Sequence, residues 1–128
     1  MITEKIIQFR GKNTDLKNLS QQIIQLLQSD GYKTQSKVDP KGIIIQAQKA
    51  GILRDIITAD RAFTILITGQ PDNFFIRIGV GKWIQNIAVI AVEALLISWA
   101  FLAIDVPEML WTQHIENKII KKIIQIIG

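Results

Sequence analysis

Apolar and polar positions along the chain change period several times, and each change marks an element. Residues 4–10 (EKIIQFR) have the length and branched content of a short strand, which Gly11 and Asn13 then break. In DLKNLSQQIIQLLQSDG, Leu16, Leu19, Ile23, Leu26 and Leu27 fall on one stripe at helical spacing. Asn13 or Thr14 is expected to cap this helix, with Asp15 at the positive end of its dipole and Gly31 closing it. YKTQSKV and GIIIQAQK alternate with period two on either side of Asp39-Pro40-Lys41-Gly42, which predicts a β-hairpin. GILRDIITAD fits a short helix by spacing, although its branched content also suits a strand. AFTILITG and NFFIRIGV predict two more strands joined by Gln70-Pro71-Asp72. Phe63, Ile65 and Ile67 then share one face, as do Phe74, Ile76 and Ile78.

These elements predict an α+β head over residues 1–83: an antiparallel sheet of about five strands covered by one amphipathic helix. Residues 84–128 are expected to add an apolar helix and an amphipathic C-terminal helix, forming one structural unit with the head. Pro107 and Glu108 suit the first turn of the last helix. Along it, Leu110, Ile115, Ile119, Ile123 and Ile127 gather on one side. Lys118, Lys121, Lys122 and Gln125 make a basic surface on the other.

The run from Ile87 to Ile104 carries a single formal charge, Glu93. At about 1.5 Å per residue it crosses nearly all of a hydrocarbon core about 30 Å thick. Trp83 and Trp111 flank it in the manner of interfacial anchors. Glu93 costs about 3 kcal/mol at the centre of a bilayer, an amount that the branched and aromatic residues of the run offset. Insertion is therefore allowed, but not compelled. Asn86, Glu93 and Ala100 recur every seven residues and would share one helical stripe facing protein. The alternative is a helix apolar all round, buried inside a soluble oligomer. Both readings point to assembly.

Charge sharpens the division. Residues 1–83 hold 12 Lys and Arg against 7 Asp and Glu, whereas residues 84–128 hold 3 against 4. A modestly basic head followed by an apolar tail suits an anionic surface or a solvated lysine-rich one. Mean hydropathy is +0.25. The N-terminal MITEKIIQFR has acid and base among its first five residues and no signal-peptide pattern. The expected location is a cytoplasmic head, with membrane anchoring through the tail as the open question.

Candidate chemistry adds little. The chain has no cysteine, which excludes disulfides, thiolate metal sites and a cysteine nucleophile. Gly79-Val80-Gly81-Lys82 lacks the earlier glycine and the following Ser or Thr of a phosphate loop, since Ile76 and Trp83 stand there. His114 is the lone histidine and has no ligand-spaced partner. Asp55 and Asp60 beside Arg54 and Arg61 read as a solvated ion-pair patch. Lys33, Gln35, Lys37, Gln46, Gln48, Phe75 and Arg77 would share the outward sheet face. A single aromatic there falls short of a base-stacking platform. Nucleic acid is therefore not the expected partner, although weak binding by this face is kept as an alternative. No catalytic residue, metal ligand or cofactor is assigned, and no small-molecule substrate is evident.

The stretch Gly51 to Arg54, the junction Ile76 to Trp83 and the apolar run resemble a group of small prokaryotic proteins of unknown function. The resemblance spans residues 51–128 and carries no activity or site with it. The expectation is a non-enzymatic structural or interaction protein, membrane-associated, homo-oligomerising or both. The alternative is a soluble homo-oligomeric module with the 84–104 helix buried in the assembly. In either reading the oligomer or membrane interface would include Trp83, Asn86, Glu93, Ala100 and Trp111.

Overall fold

A computed structural model describes residues 4–40, 42–48, 61–89 and 120–127. Strand β1 (Glu4–Arg10) leads into helix α1 (Leu16–Ser29). Strands β2 (Lys33–Asp39) and β3 (Gly42–Gln48) follow, then β4 (Arg61–Gln70) and β5 (Asn73–Lys82). A single 3-10 turn, Ile87–Val89, comes next, and the last described element is α2 (Lys121–Ile127). All five strands form one antiparallel sheet in the order β1-β5-β4-β3-β2. The α+β class and the two hairpins expected from the alternation are therefore present. Segment 51–60, the apolar run beyond Val89 and residues 105–119 lie outside the described residues.

Helix α1 forms because its stripe has a sheet face to bury. Leu19, Ile23 and Leu27 are almost fully buried, with Leu16 and Ile24 packed beside them. Opposite them stand Ile43, Ile45 and Ala47 of β3, Phe63, Ile65 and Ile67 of β4, and Phe74, Ile76 and Ile78 of β5. Removing an isoleucine of this size from water stabilises by about 1.5–3 kcal/mol, so this layer dominates the fold. Ser20 is buried among them, and its hydroxyl donates to the Lys17 carbonyl at 2.6 Å.

The helix ends are chemically closed. The N-cap is Asp15, one residue beyond Thr14 and two beyond Asn13, the expected caps. Its Oδ1 accepts from the amides of Lys17 and Asn18 at 3.0 and 3.2 Å. Asn13 instead takes a left-handed conformation (φ 46°) in the loop, where the chain turns onto the β4–β5 turn. There the Gly11 and Thr14 amides donate to the carbonyls of Asp72 and Pro71. At the other end Gly31 takes φ 89°, its amide donates to Gln28 and that of Tyr32 donates to Leu27. This is the paired bonding of a Schellman cap, and Gly31 is favoured there because a Cβ would be strained. Tyr32 and Leu27 both join the core. Burial, with a smaller contribution from Asp30, raises the Tyr32 pKa above its ordinary 10.0.

Two features pin the sheet. Phe9 stacks on Phe74, its register partner, with ring centroids 5.2 Å apart, which ties β1 to β5 on the core face. Gly69, at the end of β4, takes φ 119°, and a Cβ there would lie 2.5 Å from the Asn73 carbonyl oxygen. Only glycine lets β4 and β5 close this tightly before the Pro71-Asp72 turn.

Helix α2 lies on the same side of the sheet as α1. Ile120 and Ile123 are buried in the common core, and Ile126 and Ile127 pack against it. Lys122 Nζ reaches Asp30 Oδ2 at 2.6 Å, joining α2 to the C-terminal end of α1.

Candidate functional site

The face of the sheet turned away from α1 is the least ordinary surface of the molecule. An antiparallel sheet with one solvated face should show polar residues there. Instead, Ile44 of β3 and Ala62, Thr64 and Leu66 of β4 are fully buried, and so is Gln46. The centre of the sheet is thus closed on both sides. The uninterrupted triplet Ile43-Ile44-Ile45 is the sequence trace of that burial, because a strand with one wet face would alternate.

Gln46 organises the polar part of this face. Its Oε1 accepts from Gln35 Nε2 at 2.8 Å and from the backbone amide of Ile84 at 2.9 Å. Its Nε2 donates to Thr64 Oγ1 at 3.2 Å, and that hydroxyl lies 3.3 Å from the Ala62 carbonyl. Gln35 Nε2 also donates to the Ile84 carbonyl at 2.9 Å. Two side-chain amides from adjacent strands therefore hold both backbone groups of Ile84, as a neighbouring strand would. The chain leaving β5 is clamped back over the far face, and Ile84 itself is 8% exposed. Buried amides of this kind hold their partners firmly, because a group left unmatched costs about 1–3 kcal/mol.

Next to the clamp, Trp83 is half-buried, with Lys33 Nζ 5.0 Å from its ring centroid. Such a cation–π contact at an accessible site contributes about 0.5–1 kcal/mol. The expected interfacial tryptophan therefore packs against the head's own β2. Asn86 takes φ 56° in the turn that precedes Ile87–Val89. At Asn86 itself the chain is therefore in a turn and not in a right-handed α-helix. Glu93, Ala100, Trp111 and Lys118 lie outside the described residues.

The expected basic surface divides. Lys121 is exposed, whereas Lys122 is engaged with Asp30. The buried side of α2 is centred on Ile120 and Ile123, rotated from the Ile119, Ile123 and Ile127 line. On the outward face, Phe75 is 37% exposed but Gln46 is fully buried, so the expected face is not one open platform. Toward β1 it carries an exposed apolar pair, Ile6 and Phe75, diagonal to each other in the β1–β5 register. Gly79 to Lys82 lie within β5, paired with β4, and form no phosphate loop.

A cleft of about 540 Å³ opens at the N-terminal end of α1, between Val38 and Pro40 of the first hairpin and Pro71 of the second. It has the volume of a small-molecule site. Its helix terminus, however, presents the Asp15 carboxylate, with the amides of Lys17 and Asn18 already bonded to it. Sequence reasoning missed the clamp because glutamine reads as a surface residue. The pairing of Gln46 with Thr64 and Gln35 across three strands has no local sign. Among the described residues, no cluster of three or more His, Asp or Glu could hold a metal, and no helix is long and apolar enough to cross a membrane. No protein-family model matches the chain, and neither a curated protein nor a solved structure does.

Proposed function

We propose that the chain is a non-enzymatic, self-associating interaction protein. Its basic head carries the apolar segment 87–104 as a fixed appendage, at a membrane surface or within the bilayer. The observation that supports this reading is the clamp on Ile84. Gln35 and Gln46 hold Ile84, three residues before that segment, against the sheet, so the chain enters the segment from a fixed point on the head. A merely tethered anchor would have no use for a buried Gln46 amide and a half-buried Gln35 amide at its junction.

The alternative, a soluble homo-oligomer with the 84–104 segment buried in the assembly, draws support from Asn86. A span across lipid needs continuous helical hydrogen bonding, and the left-handed Asn86 and the 3-10 turn Ile87–Val89 leave the first three residues of the run outside an α-helix, which shortens what remains to cross a bilayer. Fractionation of expressing cells separates the two. Recovery with the membranes, released by detergent, is expected for the first; a discrete oligomer recovered without detergent would sink it in favour of the second. Glu93 tests the self-association common to both. If Glu93 lies in the joint, Glu93→Gln is expected to keep the oligomer mass, because it would remove a charge while holding the shape, and Glu93→Lys to disrupt it. An unchanged mass for Glu93→Lys would remove Glu93 from the interface.

A further inference from the structure

We propose that the self-association inferred above runs through β1, whose outer edge accepts the β1 of a second copy antiparallel about Ile7. This rests on the self-associating reading and names its surface.

Strand β1 is an edge strand, and no described strand pairs with its outer side. Among the described residues nothing bonds the outer backbone groups of this seven-residue edge, which makes it a template for another strand. The sequence EKIIQFR is self-complementary in one register. With Ile7 on a two-fold axis, Glu4 faces Arg10 of the second copy, Lys5 faces Phe9 and Ile6 faces Gln8. All seven positions are then paired and opposite charges meet at both ends. Sliding by two residues in either direction leaves positions unpaired and loses the Glu4–Arg10 match. A slip by one would put the two α1 layers on opposite faces.

The exposed apolar residues agree with this register. Ile6 is 50% exposed, and it lies diagonal to Ile6 of the second copy. The Ile6–Phe75 pair on each head thereby becomes one apolar strip across the joint. An isologous contact of this kind closes on itself as a dimer.

The other edge differs. In the corresponding self-pairing of β2 about Ser36, Lys33 would face Asp39 at both ends, as Glu4 faces Arg10 in β1, but Lys37 would lie diagonal to both Lys33 and Lys37 of the second copy, a clash of like charges that β1 does not have. The 3-10 turn Ile87–Val89 packs against β2, and Lys33 already lies over Trp83. Lysines and a covering segment are the ordinary protections of an edge strand. Strand β1 has no lysine at its centre.

The test uses the full chain in the detergent or buffer that keeps it dispersed. Because the chain has no cysteine, a single Ile6→Cys reports the joint through a short bis-thiol cross-linker, with Val38→Cys on β2 as the control. Ile6→Cys is expected to cross-link into dimers and Val38→Cys to remain uncoupled. Adding Arg10→Glu or Glu4→Arg should each reduce the yield about tenfold, because like charges then meet at both ends. Mixing the two charge variants should restore it, since one chain then carries bases at positions 4 and 10 and the other carries acids at both. That restoration also shows that neither variant has merely failed to fold. An assembled wild type whose Ile6→Cys yield ignores the charge changes would overturn the β1 joint and leave self-association standing. A monomeric wild type would overturn both.

Discussion

Gln46 shows how one residue decides what a sheet face is for. Its amide is fully buried and bonded on both its oxygen and its nitrogen, to Gln35, Ile84 and Thr64. Gln46→Leu keeps the size but removes the acceptor of the Ile84 amide. A loss of about 1–3 kcal/mol in unfolding free energy is expected, read from the denaturant midpoint. Gln35→Leu in the same background should add less than it costs alone, because the two amides share one partner. Additive losses would mean that the clamp is not a unit. Residue identity alone hid this role: a glutamine on an alternating strand reads as solvated, and its three partners are distant in sequence. Asn86 was hidden for a related reason, since its spacing to Glu93 suited a helix while its backbone takes a left-handed turn. The core isoleucines were legible because period two and period 3.6 each put them on one face.

At the scale of elements, α1 and both hairpins were legible from periodicity and turn residues. The exact N-cap was not, because Asn13, Thr14 and Asp15 are all capping types in a row. Helix α2 illustrates which of two visible contacts matters. Its described residues dock on α1 and the sheet through Ile120 and Ile123. Ile123 is fully buried in that joint, whereas the Lys122–Asp30 pair is 41% and 38% exposed. Ile123→Ala is expected to cost about 2–5 kcal/mol, and Lys122→Ala less than about 1 kcal/mol. Thermal unfolding of both variants checks the order. A larger effect for Lys122→Ala would mean that the ion pair, not the apolar contact, holds α2.

At the scale of the molecule, the strand order was the part least legible in the sequence. Nothing local in residues 4–10 points to Asn73–Gly79 as their partner, because the match depends on a face and a register shared across the whole head. Helix α1 makes that order possible by carrying the chain from one sheet edge to the other, with β1 and β2 at opposite ends. This arrangement has a consequence in time. The β2–β3 and β4–β5 pairs close short loops and form early, whereas β1 must wait for a strand some seventy residues further on. Of the five strands it is the first to leave the ribosome and the last to find its place. In the head that is not joined to a second copy, the same long closure makes it the first to leave the folded sheet. Its amides facing β5 are expected to exchange with deuterium ahead of those between β4 and β5. Equal protection of the two ladders would show that β1 opens only with the whole sheet.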